Sequence, residues 1–109
     1  MNRITVNRDK FKVDDIELIH GELTIGREND NDLHFDHPYL SGHHAKIITL
    51  FDASHVEDLD STNGTYVTLQ DDRIVFLRRE SLPLWGGGQI ALGAPADEGV
   101  DHTVDYRCG

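Results

Sequence analysis

The chain has 109 residues, enough for one compact domain, and 38% of them are apolar, which suffices for a modest core. Its formal net charge of −10 argues against nonspecific nucleic-acid binding, which rests on clustered Lys and Arg, and against an anionic membrane surface as partner. Any anion bound here must be held by a small local site, not by a global positive field.

The opening segment MNRITVNRDK is polar and lacks the apolar h-region of a signal peptide. No apolar run is long enough to span a bilayer. The single cysteine, Cys108, excludes an internal disulfide. Together these features point to a cytoplasmic protein.

Alternation in Ile4-Thr5-Val6 and Phe11-Lys12-Val13 predicts two short strands around a turn at Asn7-Arg8-Asp9. Ile16 to Leu18 and Leu23 to Ile25 follow as strands, split by His20-Gly21. Arg27 to Asp32 reads as a loop, Leu33 to Phe35 as a short strand, and Asp36 to Gly42, with Pro38, as a longer loop. His44 to Leu50 is the clearest strand. Phe51 to Ser54 is its turn, and His55 to Leu59 the returning strand. Asn63-Gly64 is the strongest hairpin signal in the chain, leading into Thr65 to Val67. Arg73 to Leu77 is the next strand. Leu82 to Gly88 (LPLWGGG) reads as an apolar corner followed by a turn. Gln89 to Gly93 and His102 to Arg107 are the last strands, with a polar loop at Ala94 to Asp101 between them. No window of a dozen residues carries a helical period. Many short strands broken by Gly, Asn and Asp predict an all-β protein, a two-sheet antiparallel β-sandwich.

Several constellations could carry chemistry. Ser41 and His44 are spaced like a nucleophile and its base, but no strand–turn–helix elbow or G-x-S-x-G surrounds the serine. A metal reading would draw on His34, His37 and His43 or His44. That spacing fits no zinc signature, and no cysteine joins them. Asp30-Asn31-Asp32 resembles the start of a calcium loop but lacks its glycine and terminal Glu. Asn63-Gly64-Thr65 is formally a glycosylation sequon, without weight where no secretion signal precedes it. No enzyme, metal or cofactor is therefore expected.

The remaining constellation is larger. LTIGR (Leu23 to Arg27), SGHHA (Ser41 to Ala45) and EDLDSTNGTYV (Glu57 to Val67) stand in this order, followed by QIALG (Gln89 to Gly93). In motifs, order and separations the chain resembles the forkhead-associated (FHA) domain of bacterial type, a phosphothreonine-binding β-sandwich whose site lies in loops at one end. The resemblance implies one FHA domain over residues 1–109, in a family whose members are usually parts of longer proteins.

It also implies roles for individual residues. Arg27 is the principal phosphate ligand, and arginine suits this because its planar donors stay charged and bind phosphate oxygens in pairs. Ser41 supplies a hydroxyl and a backbone N–H. Gly42 departs from the pattern: members of the family often carry a phosphate-contacting side chain there, whereas glycine offers only an accessible N–H. Thr62 contacts phosphate and lines a niche for the phosphothreonine methyl. Filling such a niche is worth on the order of 1 kcal/mol. Asn63 bonds the peptide backbone just after the phosphothreonine. His44 is architectural, tying the binding loops together; strand alternation, not the resemblance, turns His43 the other way, toward solvent. Gly26, Asp58, Ser61 and Gly64 shape the loops, the carboxylate and hydroxyl through local bonds to backbone. Tyr39, and the segment after Val67, are placed to read flanking residues.

The function implied is phosphothreonine-dependent binding of a partner protein, or of another domain of the same protein, downstream of a Ser/Thr kinase. The alternative is an FHA fold used for phosphate-independent protein contact or oligomerisation, which Gly42 and the net charge motivate.

Overall fold

The computed structural model describes residues 1–8, 11–95 and 102–109. Eleven strands form among them and no helix. They are β1 (Arg3–Arg8), β2 (Phe11–Glu17), β3 (Gly21–Gly26), β4 (Leu33–His34), β5 (Ala45–Leu50), β6 (Ala53–Asp58), β7 (Thr65–Thr68), β8 (Ile74–Leu77), β9 (Ser81–Leu84), β10 (Gly86–Leu92) and β11 (His102–Cys108). One sheet has the order β2-β1-β11-β10-β7-β8, the other β4-β3-β5-β6-β9. The two-sheet sandwich expected from the strand pattern is what forms. All pairs are antiparallel except β3 with β4, where Ile25 lies beside Leu33 in parallel register.

Period-two alternation decides which side chains face inward. Ile4 and Val6 of β1, Ala45 and Ile47 of β5, Val56 of β6, Val67 of β7, Ile90 and Leu92 of β10 and Val104 of β11 are all buried in one core. The same alternation carries polar residues inward at both ends of that core. Thr49 and Ser54 share a hydrogen bond at one end, and Asp58 and Thr65 do so at the other.

Three sequence expectations change. The separate strands at Phe11 to Val13 and Ile16 to Leu18 are one strand, β2, because a register shift between Val6 and Asn7 on β1 absorbs the break in alternation. LPLWGGG does turn a corner, from β9 in one sheet to β10 in the other across Trp85, but Gly86 to Gly88 form strand where a turn was expected. Pro83 is tolerated because β9 is an edge strand, where a missing N–H need not interrupt a ladder. Gly88 is required because a Cβ there would fall 2.2 Å from the Thr68 carbonyl and 2.3 Å from the Tyr106 hydroxyl. His44 precedes β5, which starts at Ala45. The polar loop expected at Ala94 to Asp101 lies outside the described residues from position 96 onward, as does Asp9 of the first turn.

Candidate functional site

Three connections meet at one end of the sandwich: residues 27–32 after β3, residues 35–44 before β5, and residues 59–64 between β6 and β7. The middle one is bonded to both others. On one side the Arg27 N–H donates to the Ser41 carbonyl (3.0 Å) and the Glu28 N–H to the Gly42 carbonyl (3.1 Å). The buried Asn31 amide donates to that same Gly42 carbonyl (2.8 Å) and to Glu28 (2.8 Å). On the other side the Thr62 N–H donates to Ser41 Oγ (2.9 Å) and Asn63 Nδ2 to the Tyr39 carbonyl (2.9 Å).

Close packing of backbone explains the glycine before Arg27. A Cβ at Gly26 would lie 2.2 Å from the Gly42 carbonyl oxygen, so any other residue would push the first two loops apart. Gly64 is needed twice over: its φ is +86°, and a Cβ would strike the Phe76 ring.

His44 is fully buried where the loops converge. The Ser41 N–H donates to its Nδ1 (3.1 Å), and its Nε2 lies 2.7 Å from the Gly64 carbonyl. An N–H can only donate and a carbonyl only accept, so these two backbone groups assign the proton to Nε2 and leave the ring neutral. Burial pushes the imidazole below its ordinary pKa, against the opposing pull of the Gly64 carbonyl and the Asp58 carboxylate.

Asp58 organises the third connection. Its buried carboxylate accepts from Ser61 Oγ (2.6 Å), Thr65 Oγ1 (2.7 Å), the Arg79 N–H (3.0 Å) and the Ser61 N–H (3.1 Å). Ser61 Oγ in turn accepts from the Gly64 N–H (2.9 Å). Burial alone would raise the Asp58 pKa, but the Ser61 and Thr65 hydroxyls and the Arg79 and Ser61 N–H groups together hold it below the ordinary carboxylate value.

What this frame presents to solvent is small. The Arg27 guanidinium is exposed and makes no ion pair or hydrogen bond among the described residues. Thr62 and Asn63 are exposed beside Ser41. Ser41 Oγ already accepts from Thr62, so its own proton is the donor left over, and no acceptor takes it among the described residues. Of the two donors expected at Ser41, the backbone N–H is spent on His44, and only the hydroxyl is free. The N–H of Gly42, next in the chain, has no partner among the described residues.

The constellations set aside in the sequence have other geometries. His44 bonds the Ser41 backbone and not its hydroxyl, so the two do not form a nucleophile–base pair. His43 is exposed, with Nε2 3.0 Å from Asp30. His37 packs on Tyr39 and on His102, and the His34 carbonyl accepts from Arg8. Two structural residues escaped the sequence reading. Asn31 joins the first two loops, and Asp32 accepts from the Thr24 N–H (2.8 Å) to close the first one. The signal was present in the Asn/Asp-rich run, since such side chains replace backbone partners in loops.

The sequence profile of the FHA domain matches residues 23–93, which contain all three loops. The chain belongs to the FHA domain family. Solved FHA structures share the fold over nearly its whole length. The FhaA FHA domain complexed with the intracellular domain of Rv3910 is 22% identical with a TM-score of 0.74, over 98% of this chain and 100% of that one. The FHA domain of CT664 from Chlamydia trachomatis is 21% identical with a TM-score of 0.74, over 99% and 97%. The N-terminal FHA domain of S. cerevisiae Rad53p, complexed with a phosphothreonine peptide, is 20% identical with a TM-score of 0.72, over 97% and 93%. Among curated protein sequences none matches this chain.

Proposed function

We propose that this FHA domain binds phosphothreonine-containing segments, without catalysis, in a protein partner or in another domain of the same protein that a cytoplasmic Ser/Thr kinase has modified. The observation that carries the reading is the Ser41 hydroxyl. Its oxygen is anchored by the Thr62 N–H at 2.9 Å, which leaves its proton to donate beside an exposed, unpaired Arg27. A phosphate dianion, with three acceptor oxygens and close to two charges, matches one fixed hydroxyl, one guanidinium and the Gly42 N–H.

Thr62 is exposed next to this donor pair and supplies a contact for phosphate and for the ligand methyl. Asn63 spends one N–H on Tyr39. Its second N–H and its carbonyl oxygen remain to bond an extended peptide backbone. His44, Asp58, Ser61, Gly26 and Gly64 touch no ligand in this scheme. They hold the donors in place, so little ordering is left to be done on binding. The phosphothreonine peptide on the yeast relative supports the same ligand class here.

The test is titration of phosphothreonine peptides and their unphosphorylated twins into the wild type and Arg27→Ala. Removing a charged donor of phosphate should weaken binding by about 1.5–3 kcal/mol, tenfold or more. Stability should stay within about 0.5 kcal/mol, since the guanidinium is exposed. Equal affinity for both twins would overturn the reading in favour of the phosphate-independent contact that Gly42 motivates.

A further inference from the structure

We propose that Glu28 is a specificity-determining residue, and that it makes the site prefer a threonine phosphorylated beside a Lys or Arg on its N-terminal side. The inference rests on the phosphothreonine reading above and adds a partner chemistry to it.

The order of the loops fixes the direction. β3 and β6 flank β5 in their sheet, so the 27–32 loop leaves on one side of the segment that enters β5 and bonds Ser41 and Gly42 there, while the 59–64 loop leaves on the other and bonds Ser41 and Tyr39. Glu28 and Asn63 therefore lie on opposite flanks of the phosphate position. If Asn63 takes the backbone that follows the phosphothreonine, Glu28 faces the residues that precede it.

Glu28 is also held in place. Its N–H donates to the Gly42 carbonyl (3.1 Å), and its own carbonyl accepts from both the Asn31 N–H (3.3 Å) and the Asn31 side chain (2.8 Å). Its side chain lies over Gly42: a Cβ there would come within 2.9 Å of Glu28 Cγ and 3.2 Å of Oε1. A carboxylate thus covers the spot from which a side chain at position 42 would emerge. No ion pair or hydrogen bond engages that carboxylate among the described residues, just as none engages Arg27. The flank presents a free cation and, one residue on, a free anion. Asp30, exposed and 3.0 Å from His43, adds negative charge to the same loop.

A ligand carrying only phosphate and acidic neighbours satisfies Arg27 and is repelled by Glu28. One that places an ammonium or guanidinium next to the phosphate satisfies both. Since Glu28 is exposed, the preference is modest, roughly two- to fivefold for a solvent-screened pair, and weaker at high salt.

The experiment uses one phosphothreonine peptide made with Lys, Ala or Glu at the positions preceding the phosphothreonine, and the unphosphorylated twin of each, against wild type and Glu28→Gln. Glutamine keeps the size and the backbone bonds, and matching thermal unfolding curves verify the fold. Tighter binding of the Lys peptide by the wild type, falling to near parity in E28Q, supports the proposal. A Lys-over-Glu ratio unchanged in E28Q, or absent from the wild type, overturns it while phosphate dependence still stands. Binding that ignores phosphorylation overturns both this inference and the reading beneath it.

Discussion

The two ends of the sandwich steady their connections by opposite means: at the far end a hairpin joins β5 to β6, and at the site end residues 59–64 cross from β6 in one sheet to β7 in the other. At the site end, residues 59–64 are organised by the buried Asp58 carboxylate and its four donors. At the far end, β5 and β6 are joined through Phe51-Asp52, where Phe51 is 89% exposed at φ 58°. A bulky residue in the left-handed region is strained. What steadies this turn comes from outside it, the Asn2 amide donating to the Asp52 carbonyl (3.0 Å). The polar pair beneath it, Thr49 and Ser54, is neutral. The comparison teaches that the fold needs only a reversal at the far end, whereas at the site end it must hold side chains in position. Buried charge and hydrogen bonds are spent where the presentation of Thr62 and Asn63 depends on them.

The sharpest way to test this contrast is to remove the carboxylate. Asp58→Ala leaves two hydroxyls and two N–H groups short of an acceptor in a buried place. It should cost about 3–5 kcal/mol in urea unfolding, a large share of the stability of a small domain. A loss under about 1 kcal/mol would mean that the loop holds itself without Asp58.

A smaller effect follows from pH, and both buried groups of the site end act in one direction. His44 stays neutral in the native state while the unfolded chain protonates, so stability falls as pH drops below the ordinary histidine value of 6.5. Asp58 has a depressed native pKa, so its contribution is complete above 3.8 and is lost as pH falls through the lower native value. Urea midpoints should therefore decline from pH 7 downward. In His44→Gln, though it is less stable overall, the upper part of that slope should vanish. The smallest effect belongs to the far end. Phe51→Asn places a residue that tolerates the left-handed region in an exposed turn and should gain about 0.5–1 kcal/mol. Destabilisation instead would show that Phe51 contributes more than its strain.

Strands whose alternation is complete, such as β5 and β6, were legible from the sequence, and so was a turn at Asn63-Gly64, although it joins the two sheets where a hairpin was expected. β9 and the first half of β10 were not, because Pro83 and Gly86 to Gly88 suggest a break unless the edge position and the Tyr106 ring are known. In the site, the candidate ligands stood out through motif order, with Arg27, Ser41, Thr62 and Asn63 in loops that the fold brings together. What stayed hidden was the wiring between loops. Asn31 reaches Gly42 across eleven positions, and Asp32 reaches Thr24 across eight. Nothing local in Ser41 shows that its N–H is taken by a ring three residues on.

That ring has a further use. The Nε2 proton of His44 is buried and directed at the Gly64 carbonyl 2.7 Å away, and the groups around it fix the tautomer. Most imidazole protons exchange with water too fast to be seen. One shielded in this way should give a slowly exchanging, downfield proton resonance with a nitrogen shift of its own. Because that signal exists only while the 35–44 and 59–64 loops close around the ring, it gives a spectroscopic readout of an assembled site before any ligand has been found.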